Sequence, residues 1–108
     1  MTDYLQVQTA FERQVDAERL ARALVERRLA ACVQIVGPVQ STYWWKGQVE
    51  TAEEWLCLIK TSRELYEAVE GVIIELHPYQ TPEIVALPIT GGSAAYLAWV
   101  AKETRERE

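Results

Sequence analysis

Along this chain the spacing of apolar residues switches between two and 3.6, and that alternation limits the folds open to it. Tyr4 to Thr9 alternates around Leu5 and Val7, which reads as a first strand. From Val15 to Leu29, Ala17, Leu20, Ala21, Leu24 and Val25 fall on one helix face, with Arg19, Arg22, Glu26 and Arg27 on the other. Ala31 to Val36 is extended again, Gly37-Pro38 breaks it, and Val39 to Trp45 resumes with the β-preferring Thr42 and Tyr43. Lys46-Gly47 is a turn signal, and Val49 to Lys60 runs back as the second arm of a hairpin.

A capping box at Thr61 and Glu64 predicts the start of the next helix. Its buried stripe is Leu65, Val69, Val72, Ile73 and Leu76, and it must end before Pro78 because His77 is pushed out of helical geometry. Glu83 to Thr90 predicts a fourth strand, in which Pro88 needs an edge or a bulge. Gly91-Gly92 turns the chain, and Ser93 caps a last helix carrying Tyr96, Leu97, Trp99 and Val100. The charged tail from Lys102 to Glu108 is expected to fray. The order β-α-β-β-α-β plus a C-terminal helix is an α+β, ferredoxin-like arrangement with helices on one face of the sheet. With 108 residues, a single domain over 1–108 is expected.

Strand parity makes the hairpin unusual. Tyr43 and Trp45 share one face while Trp44 takes the other; Trp55, Cys57 and Ile59 oppose Leu56 and Leu58. Both faces are therefore apolar or aromatic, more than a monomer keeps wet, and the chain is expected to bind copies of itself.

The formal charge of −5 argues against nucleic acid as a partner, and Arg19, Arg22, Arg27 and Arg28 are interleaved with Glu18 and Glu26 rather than clustered. Apolar runs such as Gly71 to Ile74 are too short to span a bilayer, so no membrane partner is expected. The first residues lack a basic stretch followed by an apolar one, which points to the cytoplasm and to Cys32 and Cys57 as free thiols.

Enzymatic chemistry finds little support. Cys32 and Cys57 sit in apolar strands without the electropositive setting a thiolate needs. Glu53 and Glu54 point apart as strand neighbours, and Glu50 with Glu54 reads as a polar strand margin. Thr90-Gly91-Gly92-Ser93 ahead of a helix is a loose anion signal and ordinary turn chemistry. Metal binding has three soft or borderline donors, Cys32, Cys57 and His77, with no zinc-site rhythm. His77 either closes a helix or ligates a metal together with donors brought in by the fold. The stretch His77 to Ile84, stiffened by Pro78 and Pro82, offers imidazole, phenol, amide and carboxylate groups together.

At these residues the sequence resembles the CutA family, proteins associated with divalent-cation tolerance. Leu24-Val25-Glu26 with Leu29 to Val33, the hairpin residues Ser41, Tyr43, Trp45 and Gly47, Glu54 with Lys60-Thr61, His77 to Glu83, and Tyr96-Leu97 with Trp99 carry the match. The resemblance implies a ferredoxin-like subunit assembled as a homotrimer through its sheet edges, and a link to copper and other divalent cations with no enzymatic reaction. Of the copper ligands that the resemblance implies for such members only His77 is carried over; Glu83 joins it as an expected metal residue, and no cofactor is obligatory. Gln8 stands where some members carry cysteine, Leu76 where some carry a second histidine, Gln80 where Glu is frequent, and Phe11 in place of a proline-containing turn. The leading expectation is a trimer that binds copper or another divalent cation weakly near intersubunit clefts. The alternative is a PII-like signalling or scaffold trimer binding a small anionic ligand, with Tyr43, Trp45, Glu54, Lys60 and Tyr79 as cleft candidates.

Overall fold

The computed structural model describes residues 3–104. Strand β1 (Tyr4–Phe11) leads to helix α1 (Gln14–Glu26), then to β2 (Cys32–Trp45) and β3 (Gln48–Ser62). A 3₁₀ turn (Arg63–Leu65) precedes α2 (Tyr66–Leu76), and β4 (Val85–Pro88) and α3 (Ala94–Glu103) follow. The sheet is antiparallel throughout, in the order β2-β3-β1-β4. This is the α+β arrangement expected from the alternating periods.

One sheet face makes the core. Val7 and Phe11 of β1 and Cys57 and Ile59 of β3 pack against Ala17, Leu20 and Leu24 of α1 and Val69 and Ile73 of α2. Truncating a side chain such as Leu20 or Leu24 to alanine would cost about 2–5 kcal/mol, because each is fully enclosed. The opposite parity faces away from α1 and α2. Val36, Val85 and Leu87 remain exposed there.

The hairpin turn is tight because two successive residues accept left-handed geometry, Lys46 at φ 51° and Gly47 at φ 80°. Two such residues match the right-handed twist of the flanking strands. Gly37-Pro38 does not end β2, as the sequence had suggested. The strand continues through a bulge there, and the register with β3 shifts between Val36 and Val39. Glycine is required at 37 by close approach: a Cβ would lie 2.6 Å from Trp55 Cε3.

Helix α1 stops three residues earlier than its periodicity suggests. Arg28 turns left-handed at φ 63°, Leu29 N–H donates to Leu24 O at 2.9 Å, and Arg28 N–H donates to Val25 O at 3.0 Å. That pair of bonds is a Schellman ending, which lets Leu29 fold back onto the core. The expected capping box is absent. Thr61 lies within β3, fully buried, and its hydroxyl donates to Leu29 O at 2.6 Å; α2 begins later, at Tyr66, without a side-chain cap. Strand β4 is shorter than Glu83 to Thr90, since only Val85–Pro88 pairs with β1, and Pro88 sits on the sheet edge as required. Ser93 caps α3 by accepting from Tyr96 N–H at 3.1 Å. Lys102 and Glu103 are helical rather than frayed, and Glu103 is held by Arg28 at 2.7 Å; the tail beyond Thr104 lies outside the described residues.

Candidate functional site

An open cleft of about 760 Å³ lies between the distal half of the β2–β3 hairpin and the 77–84 loop. Its floor belongs to the sheet face turned away from α1 and α2, where Ala10, Ala52 and Glu54 share one side. Tyr43, Trp45 and Glu50 form the hairpin wall, and Tyr79, Gln80 and Glu83 the loop wall.

The loop is anchored by His77. Its backbone N–H closes α2 on Ile73 O at 2.8 Å, and the chain then turns extended. The imidazole does not reach the helix carbonyls. It stacks on Phe11, with centroids 4.1 Å apart and planes 11° from parallel, and is 9% exposed. Nε2 donates to Ala10 O at 2.7 Å, while Nδ1 accepts from Tyr79 N–H at 3.2 Å. A carbonyl can only accept and an amide N–H can only donate, so the neutral Nε2–H tautomer satisfies both. Burial pushes the His77 pKa below the ordinary histidine value, against smaller opposing contributions from Ala10 O, Asp16 and Glu54.

Fixing the Tyr79 backbone fixes its side chain. The phenol ring leans on His77 at 4.6 Å between centroids, and its hydroxyl donates to Glu54 Oε2 at 2.9 Å. Burial, the bond to Glu54 and the charges of Glu54 and Glu12 all push the Tyr79 phenol up, so it stays a donor. Glu54 itself is 8% exposed, so it is not the polar strand margin expected of it. Glu83 lies at the exposed rim, yet its carboxyl is pushed up, first by partial burial and then by the charge of Glu54.

Of the residues singled out by sequence, Tyr43, Trp45, Glu54, Tyr79 and Glu83 meet in this cleft, and His77 lies behind it as an anchor. Lys60 does not join them. It shares the face of Glu54 but stands six residues along β3, roughly 20 Å away at strand rise, where its ammonium donates to Gln34 Oε1 at 3.1 Å. Cys57 is buried and donates weakly to Ala17 O at 3.7 Å, and desolvation raises its thiol to about 12. Cys32 is half-buried and unpaired. No group of three or more His, Cys, Asp or Glu stands ready for a metal among the described residues. Glu12, which the sequence reading did not single out, also borders the cleft, as does Glu50, whose shared strand face with Glu54 had been read only as a polar margin.

The profile of the family described as CutA1 divalent ion tolerance protein matches residues 5–103. The chain belongs to this family. It is 47% identical over 88 residues to the divalent-cation tolerance protein CutA of Thermus thermophilus, covering 82% of this chain and 85% of that one. It is 45% identical over 89 residues to the chloroplastic protein CutA 1 of Oryza sativa, covering 82% of this chain and 50% of that one. It therefore spans about half the length of the plant and mammalian relatives it matches. The structure of CutA from Archaeoglobus fulgidus, described as a periplasmic divalent cation tolerance protein, superposes with a TM-score of 0.92 at 34% identity, over 94% of this chain and 99% of that one. The Thermus and Archaeoglobus proteins are named for divalent-cation tolerance, and none of the three names states a reaction. No helix among the described residues is long and apolar enough to cross a membrane.

Proposed function

We propose that this family member is a homotrimeric, non-enzymatic divalent-cation-tolerance protein that binds divalent cations weakly through the cleft carboxylates. The observation that carries the reading is that Glu54 and Glu83 line one cleft, from its floor and from its loop wall, and the raised Glu83 carboxyl, pushed up first by partial burial and then by the charge of Glu54, agrees with it. A divalent cation between them would relieve that repulsion and supply what two carboxylates lack. Two carboxylates fall short of a closed site, so they suit an ion that keeps most of its water. Among first-row ions, oxygen donors of this kind favour Cu(II) most. His77 becomes a ligand only by giving up Ala10 O or Tyr79 N–H, so its part here is to position Tyr79 and thereby Glu54.

Support for assembly comes from the sheet face away from α1 and α2, where Val36, Val85 and Leu87 are exposed, and from the open edges at β2 and β4. Placement of the cleft near a subunit boundary follows from its position on that face. The cytoplasm is proposed as its compartment because Cys32 and Cys57 are unpaired, a state that suits a reducing environment. The anionic-ligand alternative has no lysine or arginine on the cleft walls among the described residues.

Calorimetric titration with Cu(II) and Zn(II) tests the site. Glu83→Gln should weaken binding at least about fivefold, with Cu(II) tighter than Zn(II) in both proteins. Equal affinity in wild type and Glu83→Gln would remove Glu83 from the site, and loss in His77→Ala with none in Glu83→Gln would return the ligand role to the imidazole.

A further inference from the structure

Helix α3 is anchored to its own chain at its C-terminal end. Val100 and Thr104 are buried there, whereas of Ala94 to Trp99 only Leu97 is even half-buried. Gly91-Gly92 leads into the helix, and a side chain added at Gly91 would meet nothing within 4 Å. A helix of 10 residues is marginal by itself in water, so its tertiary anchors decide how it is held.

One polar anchor reaches it from the turn after α1. Arg28, in left-handed geometry, donates through one guanidinium nitrogen to Glu103 Oε1 at 2.7 Å and to Glu103 O at 3.3 Å. That carbonyl is among the orphans at the end of α3, where a cation also suits the helix dipole. The two side chains are 32% and 31% exposed, against 78% and 62% for the Arg22–Glu26 pair, which ties α1 only to itself.

The loosely held half of α3 lies over the sheet face turned away from α1 and α2. The Tyr96 phenol is pushed up, first by partial burial and then by the charge of Cys32, and Cys32 shares that face with Val36. The Tyr96 and Trp99 rings tilt against each other at 5.7 Å, and both remain about 40% exposed.

We propose that Arg28 is a positioning residue for assembly: its bond to Glu103 latches α3 at the end opposite Gly91-Gly92 and so fixes Tyr96 and Trp99 at the subunit boundary. The proposal rests on the assembly reading above, which puts the boundary on that face, and it uses neither the cleft nor its carboxylates. Without the latch α3 keeps Val100 and Thr104 but tilts about the glycines, so the aromatic pair is presented in many poses instead of one. The loss falls on association, because the core under α1 and α2 contains neither Arg28 nor Glu103.

The test compares wild type, Arg28→Glu, Glu103→Arg, the Arg28→Glu/Glu103→Arg exchange and Arg22→Glu. Sedimentation in sub-denaturing urea gives the protein concentration at which half the trimer dissociates. Hydrogen exchange gives the opening of each element. Each single change of the latch should raise that concentration roughly two- to tenfold and speed exchange in α3, with α1 and β1 unchanged. The exchanged pair should recover at least half of the loss, since it restores the charges but not the bond to Glu103 O. Arg22→Glu, with the same change of charge, should alter neither readout. Wild-type dissociation in Arg28→Glu, an equal loss in Arg22→Glu, no recovery in the exchanged pair, or faster exchange throughout α1 and β1 overturns the proposal and leaves the trimer standing. A wild type that is monomeric at every concentration overturns the assembly reading and this proposal with it.

Discussion

His77→Ala should be the most destabilising single change near the cleft, and its size follows from three contacts. The variant removes a buried ring stacked on Phe11, a bond to Ala10 O and an acceptor for Tyr79 N–H. Deleting a buried aromatic side chain costs about 3–5 kcal/mol, and imidazole is smaller than the rings behind that figure. Each lost hydrogen bond adds about 1 kcal/mol, offset where water enters from the cleft. A loss of about 3 kcal/mol is the expected sum, read from urea unfolding by tryptophan fluorescence at one fixed protomer concentration. pH supplies a second signature. Because the folded-state pKa of His77 is lowered, the unfolded chain binds more protons between that value and about 6.5. The stabilisation is therefore fully present above about pH 6.5 and is lost as pH falls toward the folded-state value, with a slope no steeper than about 1.4 kcal/mol per pH unit. Glu83 has a raised pKa, so its contribution runs the other way, present at low pH and lost as pH rises through its folded-state value. The difference between wild type and His77→Ala isolates the histidine. A loss below about 1 kcal/mol, or the same slope in both proteins between pH 5 and 7, would refute the reasoning.

Three further outcomes are expected. Tyr79→Phe keeps the ring but takes the donor from buried Glu54, and should cost about 1–3 kcal/mol in the same unfolding assay. Gly37→Ala should cost about 1–3 kcal/mol, because its Cβ would press on Trp55 and on the bulge that sets the β2–β3 register. With a thiol-reactive disulfide at pH 8, Cys32 should be modified in the native protein while Cys57, buried and raised to about 12, reacts only after unfolding; native labelling at Cys57 would contradict its burial.

Much of the architecture was legible because each element keeps one period and ends on a residue with a physical reason to stop it. Pro78, Lys46-Gly47 and Ser93 all act where their chemistry predicts. Errors arose where tertiary contacts overrode local signals. Thr61 and Glu64 spell a capping box, but burial of Thr61 against Leu29 O keeps it in β3 and delays the helix. Gly37-Pro38 looks like a break, yet packing of Trp55 against Gly37 turns it into a bulge within one strand.

The site was legible in part for a similar reason. The 77–84 loop and the hairpin aromatics could be picked out by residue type. What single-residue reading could not supply was the bonding of His77, whose two ring nitrogens are taken by backbone groups from β1 and from its own loop. Glu54 was among the cleft candidates, but its burial was not legible, because the phenol that bonds its carboxylate comes from Tyr79, a residue 25 positions away. Lys60 was a cleft candidate under the anionic-ligand reading, but strand rise carries it far from this cleft.

The most direct test of the central claim is a native mass spectrum of the wild type and the Glu54→Gln/Glu83→Gln double variant, each titrated with Cu(II) and Zn(II). The account predicts a trimer that takes up metal in multiples of three at micromolar ion, and a double variant that remains trimeric but takes up none. A trimer whose metal uptake is the same in the double variant would contradict the carboxylate site, and a monomer would contradict the assembly as well.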